Sequence, residues 1–470
     1  MKRLVLVLLV TALSFSYAKY CKISDGNRLH LICSPEDTKP IHVINDDNIG
    51  CENETEMTPR NNIITVDIAT CTFDDYNLFP NFTELKFSFF HETKSLQKHA
   101  FIGMDQVKSI SIGYSNAEVL DAAFSDLPNL RRVVINDNKL KLSDLAFESA
   151  HQLKFLTLLD WGRSSLPTRF FRDLNNLEYL SLGRHFETLS DIDFFGLENV
   201  KLLHLNMNHV KNLTGNSFDH LKMLKYLYLD YNRLSDIGTT AFSKLQNLIF
   251  LNLEGNQIQQ LKVGAFDGLS SLRCLFLYNN YIRNIEAGAF SSLGNLKKLD
   301  LTNNRLTSLP ENTFKGLVSL QYLSLRENSI STMDVNAFAV LPKLVQLDLS
   351  RQVGWPLPNL ESIDLNAFPQ FIDLQTKAVV RARINDDADD FEKEELNGIK
   401  DILSFEDDDS DYRFYKTKFF GSFELNKNDY PQANFSSLSN ISQNASTESL
   451  IIGNLDLSDN PITFVNLTKN

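Results

Sequence analysis

Residues 224–247 read LKYLYLDYNRLSDIGTTAFSKLQN, and the next 24, LIFLNLEGNQIQQLKVGAFDGLSS, put the same classes of residue at the same places. A chain that restates one pattern at a fixed interval cannot be divided into domains by length, because the repeat itself is the folding unit. Aligned on their first apolar residue, twelve units begin at Phe82, Val107, Leu130, Leu153, Leu177, Val200, Leu224, Leu248, Leu272, Leu296, Leu320 and Leu344, at steps of 23 to 25 residues.

The shared spelling is L-x-x-L-x-L-x-x-N-x-L, followed by a variable stretch and an aromatic–aliphatic segment such as AFSKL or TFKGL. Alternating leucines suit a short strand with one buried face, which a lone strand cannot bury. Stacking equivalent strands in parallel buries it as a continuous core. The Asn after the strand (Asn232, Asn256, Asn280, Asn304, Asn328) is predicted to turn inward and satisfy backbone groups at the bend. The recurring Phe124, Phe147, Phe171, Phe218, Phe242, Phe266, Phe290, Phe314 and Phe338 should stack on the opposite side of that core. Between strand and Phe no helical periodicity persists, so irregular turns or short helical pieces are expected there.

This spelling resembles the leucine-rich repeat family in its typical extracellular subclass. The resemblance covers residues 82–369. It implies an α/β repeat solenoid, a curved horseshoe with a parallel β-sheet on the concave face and a mostly irregular convex side. By architecture the chain is similar to Toll-like receptor ectodomains and to the secreted leucine-rich immune proteins of insects.

The flanks divide differently. Residues 1–18, with Lys2 and Arg3 before an apolar run and small residues at the end, read as an export leader. Residues 19–81 read as an N-terminal cap with four of the five cysteines, Cys21, Cys33, Cys51 and Cys71. Cys21 with Cys33 could bridge a hairpin, leaving Cys51 for Cys71, although four cysteines permit three connectivities. After Leu344 the pattern decays: Gln352 stands in the Asn place, and Pro356 and Pro358 follow. Residues 370–449 form an acidic, sequon-rich insertion or linker, and 450–470 spell a candidate final repeat through Ile452, Leu455, Leu457, Asn460 and Ile462. A truncated or partner-covered end is compatible with this ending.

The net charge of −13 is local. Residues 386–411 hold 13 Asp/Glu and two Lys, leaving a net of −2 for the rest. Such a run reads as a solvated loop, or as an arm for a basic partner. Tyr412 beside it resembles a sulfation site, and the acids lack the spacing of a calcium loop. No basic face for nucleic acid, no metal or cofactor motif, no catalytic motif and no membrane-length apolar run is present. Sequons at Asn53, Asn81, Asn212, Asn434, Asn440, Asn444 and Asn466 predict a secreted, extracellular glycoprotein.

Solenoids of this kind bind through the concave sheet, at strand positions between the buried leucines. The third position reads Phe155, Tyr179, Leu202, Tyr226, Phe250, Cys274, Lys298 and Tyr322; the fifth adds His204, Tyr228, Asn252 and Phe276; the strand exit adds Tyr231 and Tyr278. An exposed aromatic patch of Tyr226, Tyr228, Tyr231, Phe250, Phe276 and Tyr278 is therefore expected as a ligand surface. The alternative is rings that only pack along the ladder. Cys274, on the same column, is expected to be exposed, either inert or an intermolecular bridge that makes a covalent dimer; a non-covalent one is the alternative. Ser115, Trp161 and His185 break the Asn pattern.

Together these features predict a non-enzymatic recognition protein. It would bind an extracellular protein or microbial surface component through its concave face, in innate immunity. The alternative is an adhesion or matrix protein contacting partners through the acidic arm.

Overall fold

In the repeat that begins at Leu224, Leu224, Leu227, Leu229 and Leu234 are all fully buried. Burying one such side chain contributes about 1.5–3 kcal/mol, too little per unit to offset ordering two dozen residues. The neighbours must share the core.

The structure is a computed structural model. It describes residues 101–352 except 102–104, 114–117, 137–140, 160–165, 167–169, 184–185, 190–191, 216, 335, 345 and 350, and the backbone of separate strand segments outside that span. Two compact units result. The first is residues 1–185 with 195–197, the second 186–194 with 198–470.

In the first unit Tyr20–Lys22 pairs antiparallel with Leu29–Ser34, setting Cys21 opposite Cys33 in the backbone register. Parallel pairing then runs through Ile63–Ile68, Glu84–Ser88, Ser109–Gly113, Arg132–Asn136, Phe155–Leu159 and Tyr179–Gly183. In the second unit the parallel order is Leu202–His204, Tyr226–Tyr228, Phe250–Asn252, Cys274–Phe276, Lys298–Asp300, Tyr322–Ser324 and Gln346–Asp348. Leu455–Asp456 pairs next, Leu347 facing Leu455 across a gap of about a hundred residues in the chain. Each strand meets the same strand of the following repeat, as a solenoid of equivalent units requires. The connections on the other side are turns and two-residue strands, such as Gln260–Leu261 beside Asn284–Ile285, with no α-helix among the described residues.

The Asn ladder forms as the sequence predicts. Asn232 Nδ2 donates to the carbonyls of Leu205, 2.8 Å, and Leu229, 3.0 Å, and its Oδ1 accepts the Val210 N–H at 3.0 Å. Asn256, Asn280, Asn304 and Asn328 repeat this arrangement. Only an amide offers two donors and an acceptor at that length. Gln352 differs from the expected decay: it fills the same place, accepting from Ile330 N–H at 3.0 Å and donating to Leu325 O at 2.8 Å. One extra methylene is accommodated there because the amide chemistry is retained.

The residue before each ladder amide lies in the left-handed region: Met207, Tyr231, Gly255, Asn279, Asn303, Glu327 and Arg351, with φ of 52–64°. That conformation turns the chain at the strand exit. A second, exposed ladder escaped the sequence reading. Asn129, Asn176, Asn247 and Asn295 each donate to a carbonyl one repeat earlier, at 2.8–2.9 Å.

The phenylalanines stack from repeat to repeat. In the first unit Phe101, Phe124 and Phe147 run nearly parallel, and the row continues edge-on through Phe170 before Phe171. In the second, Phe194, Phe218 and Phe242 form one run, and Phe266, Phe290, Phe314 and Phe338 another. Ser115, Trp161 and His185 lie outside the described residues.

Candidate functional site on the strand face

Between the inward leucines, strand side chains project to the face turned away from the core. In the first unit Phe155 stacks on Tyr179 with centroids 5.6 Å apart; Phe155 is buried and Tyr179 half-buried.

In the second unit the ring row is continuous. His204 stacks on Tyr228 at 4.1 Å, Tyr228 leans on Phe250 at 5.0 Å, Phe250 on Phe276 at 5.3 Å, and Phe276 meets Tyr278 edge-on at 6.3 Å. Tyr226 joins through Phe250 at 6.5 Å.

The expected exposure is corrected here. Tyr226, Tyr228, Phe250 and Phe276 are only 2–3% exposed and His204 5%; Tyr278 and Tyr322 are half-buried, and Tyr231 alone is exposed, at 43%. Alternation assigns a side chain to a face, not to water. Rings on neighbouring strands fall within stacking distance and desolvate one another, and these buried rings make further contacts besides.

Cys274 is corrected likewise. It is a buried thiol that forms no disulfide and lies within that layer, which removes the exposed sulfur an intermolecular bridge would need.

Charged groups share the layer. Asp230, Glu254, Asp300 and Asp348 are buried carboxylates, and Lys298 is buried with its Nζ 5.2 Å from the Tyr322 ring centroid. Burial above all, then Asp348 and Glu254, pushes the Asp300 carboxyl up from 3.8 to about 6, while hydrogen bonds from Thr302 oppose the shift. The Thr302 N–H donates to Asp300 Oδ1 at 2.9 Å.

At the strand exit the Tyr231 hydroxyl donates to Glu254 Oε1 in the next repeat. Burial, then Glu254, raises the ionisation of both Tyr231 and Tyr278 far above the ordinary phenol range, so both stay protonated donors.

The sequence reading had the rings but not the acids. Asp300 and Asp348 continue the fifth column beyond Phe276, and Asp230 and Glu254 stand at the seventh position, so the columns carry them once followed that far. The strand entrances are basic by contrast, with Lys201, Lys225, Arg273 and Lys297 at the second position.

Among the described residues no group of three or more His, Cys, Asp or Glu is placed to hold a metal. No described helix is long and apolar enough to cross a membrane. Of the sequons, Asn212 is described and exposed, Asn466 has only its backbone described, and Asn53, Asn81, Asn434, Asn440 and Asn444 lie outside the described residues, as do the side chains of Cys21, Cys33, Cys51 and Cys71 and the acids of 386–411.

The leucine rich repeat model matches residues 184–234, 198–258, 225–282, 251–306 and 294–353, and the BspA type leucine rich repeat region matches 68–160. Among curated proteins, human epiphycan is 30% identical over 156 residues, covering 30% of this chain and 46% of epiphycan, and mouse epiphycan is 29% identical over 171 residues, covering 31% and 50%. The chain thus spans about half the length of the curated relatives it matches. Among solved structures, a TLR13–ssRNA13 complex matches with a TM-score of 0.50 at 24% identity, over 62% of this chain and 47% of that one. The Drosophila Toll–Spatzle complex matches with a TM-score of 0.50 at 19% identity, over 65% and 49%. At those identities the likeness is one of fold. The family models together cover more than half of the sequence, and the chain belongs to the leucine-rich repeat family.

Proposed function

We propose that this is a secreted recognition protein that binds another protein, or a microbial surface component, through the strand face of its solenoid, in innate immunity. The observation that carries the reading is the exposed rim at the strand exits of the second unit, where Tyr231 and Met207 stand out to solvent beside the buried ring row and carboxylates. Aromatic side chains beside polar anchors are the usual energetic centre of protein interfaces. The Toll structure named above is a complex with Spatzle and the TLR13 structure a complex with RNA, so the fold serves recognition elsewhere; the carboxylates within this face fit a protein ligand better than RNA, whose phosphates they would repel.

The extracellular setting rests on the leader-like residues 1–18, the exposed sequon at Asn212 and the register that opposes Cys21 to Cys33. Residues 370–449 belong to this reading as an insertion between repeats, which the pairing of Leu347 with Leu455 favours. A second reading, an extracellular adhesion or matrix protein that works through its acidic arm, is favoured by the 13 Asp/Glu in 386–411.

The test is capture from native extracellular fluid by wild type, by Met207→Glu/Tyr231→Glu and by a chain lacking 370–449, each checked for folding by circular dichroism. Met207 and Tyr231 are exposed, so their replacement spares the core. A partner lost only with the double variant supports the strand face. A partner lost only with the deletion moves the function to the arm.

A further inference from the structure

One flank of the second unit is built from the residues that follow the ladder amides. Their N–H groups bond to the preceding repeat: Arg233 donates to Val210 O, Gln257 to Leu234 O, Tyr281 to Ile258 O and Arg305 to Ile282 O, at 2.8–3.0 Å. These four stand in one row on consecutive repeats, and Arg283 lies beside them, its N–H donating to Gln259 O at 2.9 Å. All five side chains are exposed, Tyr281 at 42%. Among the described residues none of the three arginines forms a salt bridge. The carboxylates nearest in sequence are already held, Asp236 by Lys262 at 2.5 Å and Glu286 by Gln260 and the Val263 N–H. Glu187, which feels the charge of Arg233, bonds to Lys211 at 2.8 Å instead.

The row is oriented for an anion. The Arg305 guanidinium lies over the Tyr281 ring, 4.3 Å from its centroid. Stacking occupies the face of a guanidinium and leaves its N–H edge for a bidentate carboxylate. Neighbours in a ladder are about 4.8 Å apart, so the backbones of Arg233 and Arg305, three repeats apart, are separated by roughly 14 Å. Four residues of extended chain, at roughly 3.4 Å each, span the same distance, so carboxylates at positions i and i+4 of a peptide laid along the flank reach both. Arginine and tyrosine without lysine is the composition of a protein interface. Three guanidiniums are few for the phosphate contacts that hold a nucleic acid.

We propose that the flank of Arg233, Tyr281, Arg283 and Arg305 docks an acidic segment of a partner protein, whose carboxylates pair with the guanidiniums. This rests on the recognition reading above and names the chemistry of the partner. The strand-face carboxylates are buried and these arginines exposed, so an incoming chain meets positive charge on this flank.

A fluorescent hexa-glutamate peptide, with hexa-glutamine as its uncharged isostere, tests the flank by anisotropy on the full chain. Hexa-glutamate is expected to bind and hexa-glutamine not to. Arg283→Gln/Arg305→Gln should weaken binding at least tenfold and Tyr281→Ala threefold or more, with melting curves reporting the fold of each. Lys315→Gln, beside Phe314 in the phenylalanine row, removes one exposed charge elsewhere and should bind as wild type. Equal binding of the two peptides, or unchanged affinity in Arg283→Gln/Arg305→Gln, overturns the site. Binding seen only after the 13 Asp/Glu of 386–411 are replaced by their amides makes the occupant this chain's own acidic run and overturns the assignment to a partner. Hexauridylate bound as tightly, with the same dependence on the arginines, overturns it in favour of nucleic acid. If a captured partner is lost with Met207→Glu/Tyr231→Glu yet kept by Arg283→Gln/Arg305→Gln, the recognition reading stands and the arginine flank falls.

Discussion

The ring of Tyr231 lies directly over Gly255: a Cβ on that glycine would stand 2.7 Å from Tyr231 Cδ1. This contact lets a tyrosine of one repeat reach Glu254 of the next. Gly255 also holds φ +64°, where a side chain costs about 1–2 kcal/mol by itself. Gly255→Ala should therefore lower stability by about 1–3 kcal/mol in urea titration. Gly294→Ala, with nothing within 4 Å and no left-handed backbone, should stay within about 0.5 kcal/mol of wild type.

The two ladders should differ in what they contribute. Asn256→Ala leaves the Leu234 N–H and the Leu229 and Leu253 carbonyls without their buried partner, a loss of about 2–4 kcal/mol. Asn247→Ala removes one exposed bond to Lys222 O and should cost under about 1 kcal/mol. Chemical unfolding of the two variants side by side checks the contrast, and similar losses would remove the distinction drawn between the ladders.

Asp300 makes stability depend on pH. Its carboxyl titrates near 6 when folded and near its ordinary 3.8 when unfolded, so between those values the folded chain binds more protons. Its contribution therefore falls as pH rises through that window and is restored as pH drops below about 4. Asp300→Asn should be more stable than wild type at pH 7.5, by on the order of 2 kcal/mol, with the difference vanishing near pH 4. Thermal melts of both proteins across pH 4–8 measure it.

Cys274 should be inert in the native chain. It is 2% exposed, and thiol reagents need both access and thiolate. Iodoacetamide followed by peptide mass mapping should label Cys274 only after denaturation. Native labelling at wild-type stability would contradict its burial in the ring layer.

The leucine spacing, the ladder Asn and the recurring Phe made the solenoid legible, because each is a local pattern whose burial follows from a single repeat copied along the chain. The reading stopped where neighbouring repeats meet. Whether Gln352 could serve as an Asn depended on the reach of its amide to Ile330 and Leu325. The exposed Asn247 ladder required knowing that its amide faces the Lys222 carbonyl one repeat earlier.

The strand-face residues divide in the same way. Alternation alone put Tyr226, Tyr228, Phe250 and Phe276 on one face, since successive strand side chains point to opposite sides. Only the tertiary structure decided that these rings are closed to solvent, that Cys274 is closed with them, and that Tyr231 remains outside over Gly255. Accessibility is set by what lies a few ångströms away in space. For Glu254 that neighbour is Tyr231, 23 residues distant in the chain, and no local pattern encodes their contact.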